Sequence, residues 1–279
     1  MGLRNGSENS RAGGRARTKD RSLYALFLHS YFLILGLLFS SYLPRTFNTR
    51  LFLILAAAFI VATVIGTLSH EGGHYFIAKG FGYHPRIHYA SCSFGDNEVI
   101  DSLEAIYQKH QKELEEGLPF PGKEKYEELQ QGAIRNELWI LIGGPLQTIL
   151  TGTIGLILLF AYRKSFAAKQ ALSSRQWALV FITLFWLRQT ANLAMWLIDY
   201  LVSGEFSSRS DEIGIALELE IPFWSLTAIT GIIGMAVLVI VLLKFVPPKQ
   251  RLTFVASGIA GGVTGYILWL HLLGPVLLP

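Results

Sequence analysis

His70-Glu71-Gly72-Gly73-His74 combines residue types and a spacing suited to hydrolysis. Residues four apart on a helix share a face, so His70 and His74 would offer two imidazoles to one zinc ion (Zn2+). Glu71 would reach the water on that ion as general base. The pentapeptide lies inside an apolar run over residues 51 to 80. An isolated Asp or Lys in the middle of a membrane helix costs ~2.5–3.5 kcal/mol, so such side chains call for a partner, a metal or water. Two histidines satisfied by neighbouring backbone are the plainer alternative.

The elements that must hold these residues read as membrane helices. With 51% hydrophobic and 16% charged residues in 279, and a mean hydropathy of +0.40, the chain is too apolar for an ordinary soluble domain. The expected fold class is an all-α polytopic membrane protein in a lipid bilayer. Apolar runs predict about six transmembrane helices, over 23–43, 51–80, 134–161, 177–201, 223–245 and 253–273. Residues 1–22 read as a disordered basic tail, and 23–279 as a single membrane-embedded domain. The net charge of +4 comes from that tail. Topology and lipid headgroups account for it, and no nucleic-acid partner is implied. The lone Cys92 excludes an internal disulfide.

Placing the basic amino terminus in the cytoplasm puts 81–133 and 202–222 there too. Arg163, Lys164, Lys169, Arg175, Lys249 and Arg251 then fall outside, against the positive-inside tendency. A second deduction is independent of orientation. If every span crosses, the carboxyl end of 51–80, the amino end of 134–161 and the carboxyl end of 177–201 emerge on one face, and the candidate site residues sit at those ends.

Residues 87–94 have a small strand-like composition, with His84 and His88 as surface histidines or extra ligands. Residues 101–116 and 123–137 read as two polar helices, the insertion 101–133 either lying on the membrane surface, covering the site or forming a solvated hairpin. Gly143-Gly144-Pro145-Leu146-Gln147 opens the next span; its glycines allow close helix approach, and its proline frees backbone groups toward a cavity or simply kinks the helix. Gly258, Gly262 and Gly265 fit helix packing. Arg188, Asn192 and Asp199 share one helical face and are expected to look inward, and Ser210-Asp211-Glu212 reads as the cap of a short helix.

Over roughly residues 51 to 220 the chain resembles the site-two protease family of intramembrane zinc metalloproteases. His70-Glu71-Gly72-Gly73-His74 followed by Ala78 and Gly80, the Gly144-Pro145 helix start, and an acidic residue after the later span carry the resemblance. It implies metal ligands His70, His74 and an aspartate, with Glu71 catalytic and Gly144, Pro145 and Gln147 binding substrate. Family members follow that aspartate with glycine, and no Asp-Gly occurs here. Asp211 is the matching element and Asp199 its rival. The family's asparagine after Gly-Pro is also missing, with Gln147 and Thr148 in that stretch.

The resemblance implies hydrolysis of peptide bonds in or beside transmembrane segments of membrane-protein substrates, the substrate leaving its helix to expose its carbonyls. Two other classes stand beside this expectation. A catalytically inactive membrane module binding client proteins suits the atypical aspartate region, but has no need of Glu71. A metal-ion transporter would need a polar path across the bilayer, and 223–245 and 253–273 are almost free of ionisable residues.

Overall fold

Asn48 starts the first long helix: its side chain accepts a hydrogen bond from the Leu51 N–H at 2.9 Å and caps α1, Thr49–Gly80. The computed structural model describes residues 46–166, 170–206 and 210–279. The expected tail 1–22 and the expected span 23–43 lie outside the described residues. Among the described residues five helices are long and apolar enough to cross a membrane: Thr49–Gly80, Lys123–Ala161, Ser174–Ser203, Ser225–Phe245 and Pro248–Leu277. They correspond to the remaining five expected spans.

After α1 the chain turns through Gly82, at φ +81°, a backbone state open to glycine. It then forms a minimal antiparallel hairpin of β1, Arg86–Ile87, and β2, Cys92–Ser93, in which Arg86 pairs with Ser93 and Ile87 with Cys92. Residues from the far end of the sequence pin this hairpin: the Tyr89 N–H donates to the Leu278 carbonyl at 2.9 Å, and the Trp269 side chain donates from Nε1 to the Tyr89 carbonyl at 2.8 Å. Helix α2, Glu98–Glu115, is capped by Asn97 and buries no residue.

Helix α3, Lys123–Ala161, corrects the expected division of this region. The polar helix 123–137 and the span beginning at 134 are one continuous helix of 39 residues. At ~1.5 Å per residue it extends nearly 60 Å, about twice a hydrocarbon core. The switch from polar to apolar composition near residue 134 marks a change of surroundings, while nothing between Lys123 and Gly144 breaks the helix.

A short helix α4, Arg163–Phe166, leads toward α5, Ser174–Thr183. One 3-10 turn at Leu184–Trp186 joins α5 to α6, Leu187–Ser203. Next come α7, Asp211–Glu218, and α8, Ser225–Ile240, which runs on through a π-helical turn to Phe245. Helix α9, Pro248–Tyr266, continues through a second π-helical turn into α10, Gly274–Leu277. Gly258, Gly261 and Gly265 let α9 lie against Phe59, Ala56 and Thr63 of α1, whereas Gly262 faces open space. The expected packing set is thus corrected from Gly262 to Gly261: steps of three and four fit either residue, and the rotation of α9 about its axis turns Gly261 to Ala56 and Phe59 of α1.

An apolar core holds one end of the bundle. Phe59 packs on Phe181 at 4.8 Å and on Phe254 at 5.6 Å, and Trp177 stacks on Phe254 at 5.4 Å, with Leu55, Leu159, Val241 and Phe245 buried around them. Phe59 precedes His70 by eleven residues of α1, roughly 16 Å along the axis. The histidine end is joined differently. Gly73 of α1 faces the Gly143 carbonyl of α3, Gly143 faces the Gly73 carbonyl, and a Cβ on either would collide with backbone.

Candidate metal centre

His70 and His74 lie one turn apart on α1, buried at 0% and 5% exposure. Both rings rest on α3 where Gly144 has no side chain: a Cβ there would strike the Nε2 atoms of both imidazoles. Hydrogen bonds set the ring orientation. His74 Nδ1 donates to the Ile140 carbonyl at 2.7 Å. The Thr148 hydroxyl donates to the Gly144 carbonyl at 3.0 Å, which leaves its oxygen to accept from His70 Nδ1, also at 3.0 Å. With both ring protons held on Nδ1, each Nε2 presents a lone pair, and the two Nε2 atoms are 3.3 Å apart.

The third group arrives from a distant segment. Ser210 caps α7 by accepting from the Ile213 N–H at 3.3 Å, which places Asp211 in the first turn. The next residue, Glu212, is 2% exposed and accepts from Asn192 Nδ2 of α6 at 3.3 Å through both carboxylate oxygens. This contact ties the start of α7 to α6 and directs Asp211 at the imidazoles. Asp211 Oδ2 stands 2.8 Å from His70 Nε2 and 3.5 Å from His74 Nε2.

Ligand atoms of His70, His74 and Asp211 all lie within 4.8 Å of one another, and this group could hold a metal ion. Its donor set passes a physical test. Two imidazole lone pairs and a carboxylate oxygen repel one another unless a cation sits between them. Tetrahedral ligands at zinc-like bond lengths of ~2.0–2.1 Å stand about 3.3 Å apart, the scale of the three observed separations.

A cavity of about 280 Å³ opens beside the group. Glu71, His74 and Asp211 line one side; Arg188 and Asn192 line it from α6, and Ser91 and Cys92 from the hairpin. Glu71 is 5% exposed and forms no ion pair among the described residues. Burial, with Glu71 nearby, pushes the Cys92 thiol up to about 11, so it stays neutral at physiological pH.

The structure thus brings His70, His74 and Asp211 together, puts Glu71 on the cavity wall and sets Gly144 directly against the imidazoles. Pro145 is buried in α3, and its missing N–H leaves the Leu141 carbonyl without its usual helical donor; Leu141 itself lines the cavity. Gln147 points along its own helix, donating to Thr151 Oγ1 at 3.0 Å, and does not line the cavity. Asp199 lies outside the three-residue group. So do the two surface histidines: His84 is exposed, and His88 contacts Ser93 Oγ at 3.1 Å.

Sequence reasoning gave no role to Thr148 or to the Ile140 carbonyl. The signal for Thr148 was a hydroxyl one helical turn after Gly144, on the face that meets α1. A backbone carbonyl leaves no signal in residue types. Comparison with protein-family models, curated proteins and solved structures gives no match to this chain.

Proposed function

We propose that the chain is an integral membrane zinc metalloendopeptidase of site-two protease type. It hydrolyses peptide bonds in or beside transmembrane segments of membrane-protein substrates. The observation carrying this reading is the convergence of His70 Nε2, His74 Nε2 and Asp211 Oδ2 beside a cavity walled by Glu71. Five helices able to cross a membrane support a bilayer setting. His70 lies ten residues before the end of α1, about 15 Å along it, so a cleaved bond would sit below the membrane surface.

His70, His74 and Asp211 would hold the zinc, which when bound supplies a Lewis acid that brings the pKa of water to about 7. Glu71 accepts one proton from the attacking water and delivers it to the departing amide nitrogen. A C–O bond forms, the C–N bond breaks, and one water is consumed for each peptide bond. Thr148 and the Ile140 carbonyl keep the ring protons on Nδ1, so both Nε2 atoms remain ligands. The short hairpin at Ser91 and Cys92, which lines the cavity, offers an edge to an unwound substrate segment.

Substitution Glu71→Gln tests the assignment. The variant is expected to keep stoichiometric zinc by elemental analysis and to lose roughly 10²–10⁴-fold in cleavage of a reconstituted transmembrane reporter. Zinc retention with undiminished cleavage would exclude Glu71 as the base and this mechanism with it.

A further inference from the structure

Arg188 has no place in the chemistry described so far. It stands near the start of α6, half-buried, and lines the cavity that holds Glu71, His74 and Asp211. Its Nε is buried with no hydrogen-bond partner, and among the described residues its guanidinium forms no ion pair. Glu212 of α7 is engaged by Asn192 of α6. A guanidinium is permanently charged, and a buried N–H of one without an acceptor is costly unless something else supplies the acceptor, as for Nε here.

The charge balance of the cavity indicates what that is. Glu71, Asp211 and Arg188 leave one net negative charge on its wall, and a divalent cation at the histidines turns this into one net positive charge. A metal-loaded cavity therefore favours one anionic oxygen, and among the described residues lining it Arg188 is the permanently charged donor.

We propose that Arg188 binds an anionic oxygen of the substrate in this cavity. The inference rests on the protease reading. Two sources share that chemistry: the oxygen that gains charge at the scissile carbonyl, and a carboxylate carried by the substrate beside the cleaved bond. In the first case Arg188 stabilises developing charge, and in the second it sets specificity for acidic segments.

The experiment uses the full chain, zinc-loaded in detergent, and two probes: an amidated phosphinic peptide, which mimics the tetrahedral anion, and a plain peptide compared as free carboxylate and as amide. Arg188→Gln and Arg188→Lys are measured beside the native chain, with zinc content determined for each. Developing charge as the source predicts roughly 10- to 100-fold weaker phosphinate binding in Arg188→Gln, unchanged zinc, and partial recovery in Arg188→Lys. A substrate carboxylate as the source predicts instead that the preference for the free-carboxylate peptide disappears in Arg188→Gln, while phosphinate binding holds.

Unchanged affinity for both probes in Arg188→Gln would overturn the inference and leave the protease reading standing. Loss of zinc in both variants would also overturn it, by placing Arg188 in the support of the metal site. A native chain that holds zinc but neither binds the phosphinate nor cleaves a peptide would remove the protease reading, and the inference with it.

Discussion

Of the two glycines between His70 and His74, only Gly73 meets a neighbour. Gly72 has open space where a Cβ would stand, whereas Gly73 lies against the Gly143 carbonyl and the Gln147 Cβ. Gly73→Ala must push α1 from α3 and is expected to cost ~1–3 kcal/mol, as overpacking does in a filled interior. Gly72→Ala should be neutral or stabilising by up to about 1 kcal/mol, since alanine is the better helix former. Gly144→Ala differs from both because its methyl group meets the imidazoles themselves, and zinc content should fall more than thermal stability. Melting curves in detergent with zinc analysis separate these outcomes. Equal behaviour of Gly72→Ala and Gly73→Ala would mean that the helices are not in backbone contact.

At the scale of elements, α7 supplies the carboxylate that the two histidines lack. It does so because Ser210 caps it and Glu212 fastens it to Asn192. On the proposed zinc site, Asp211→Asn is expected to weaken zinc binding by more than about 10²-fold, beyond the 10- to 100-fold typical of outer-shell changes, because it would remove a charged ligand. Asp199→Asn should leave it unchanged. Competition with a chromophoric zinc chelator reads both, and the reverse ranking would make Asp199 the ligand.

This pair also marks where the sequence stopped being informative. His70 and His74 were legible because four residues of one helix fix their relation locally. Asp211 is 141 residues from His70, and its approach depends on a contact between α6 and α7 that no periodicity encodes. Helix α3 was divided in the sequence for a related reason. Hydropathy reports the medium around a residue, while continuity of a helix depends on its backbone, and a polar stretch and an apolar one can share the same α3.

At the scale of the whole molecule the bundle is fastened at two places by different forces. Around Phe59, Trp177, Phe181 and Phe254 the helices are held by packed rings that need no metal. At the histidine end, backbone contact at Gly73 and Gly143 joins α1 to α3, while α7 is brought in where three lone-pair-bearing atoms face one another across 2.8 to 3.5 Å, a contact that favours closure with a cation present. With zinc held there as proposed, removing it should therefore release α7 and spare the aromatic end. Chelation is expected to abolish hydrogen-exchange protection in α7, while α1 and α5 near Trp177–Val180 keep theirs and the helical circular dichroism barely changes. Added zinc should restore protection in proportion to saturation, a ligand at 100 times its dissociation constant contributing about 2.7 kcal/mol to the state that binds it. Uniform loss of protection along α1 would mean that the aromatic end depends on the metal as well, and unchanged protection in α7 would mean that Asp211 is held in place without it.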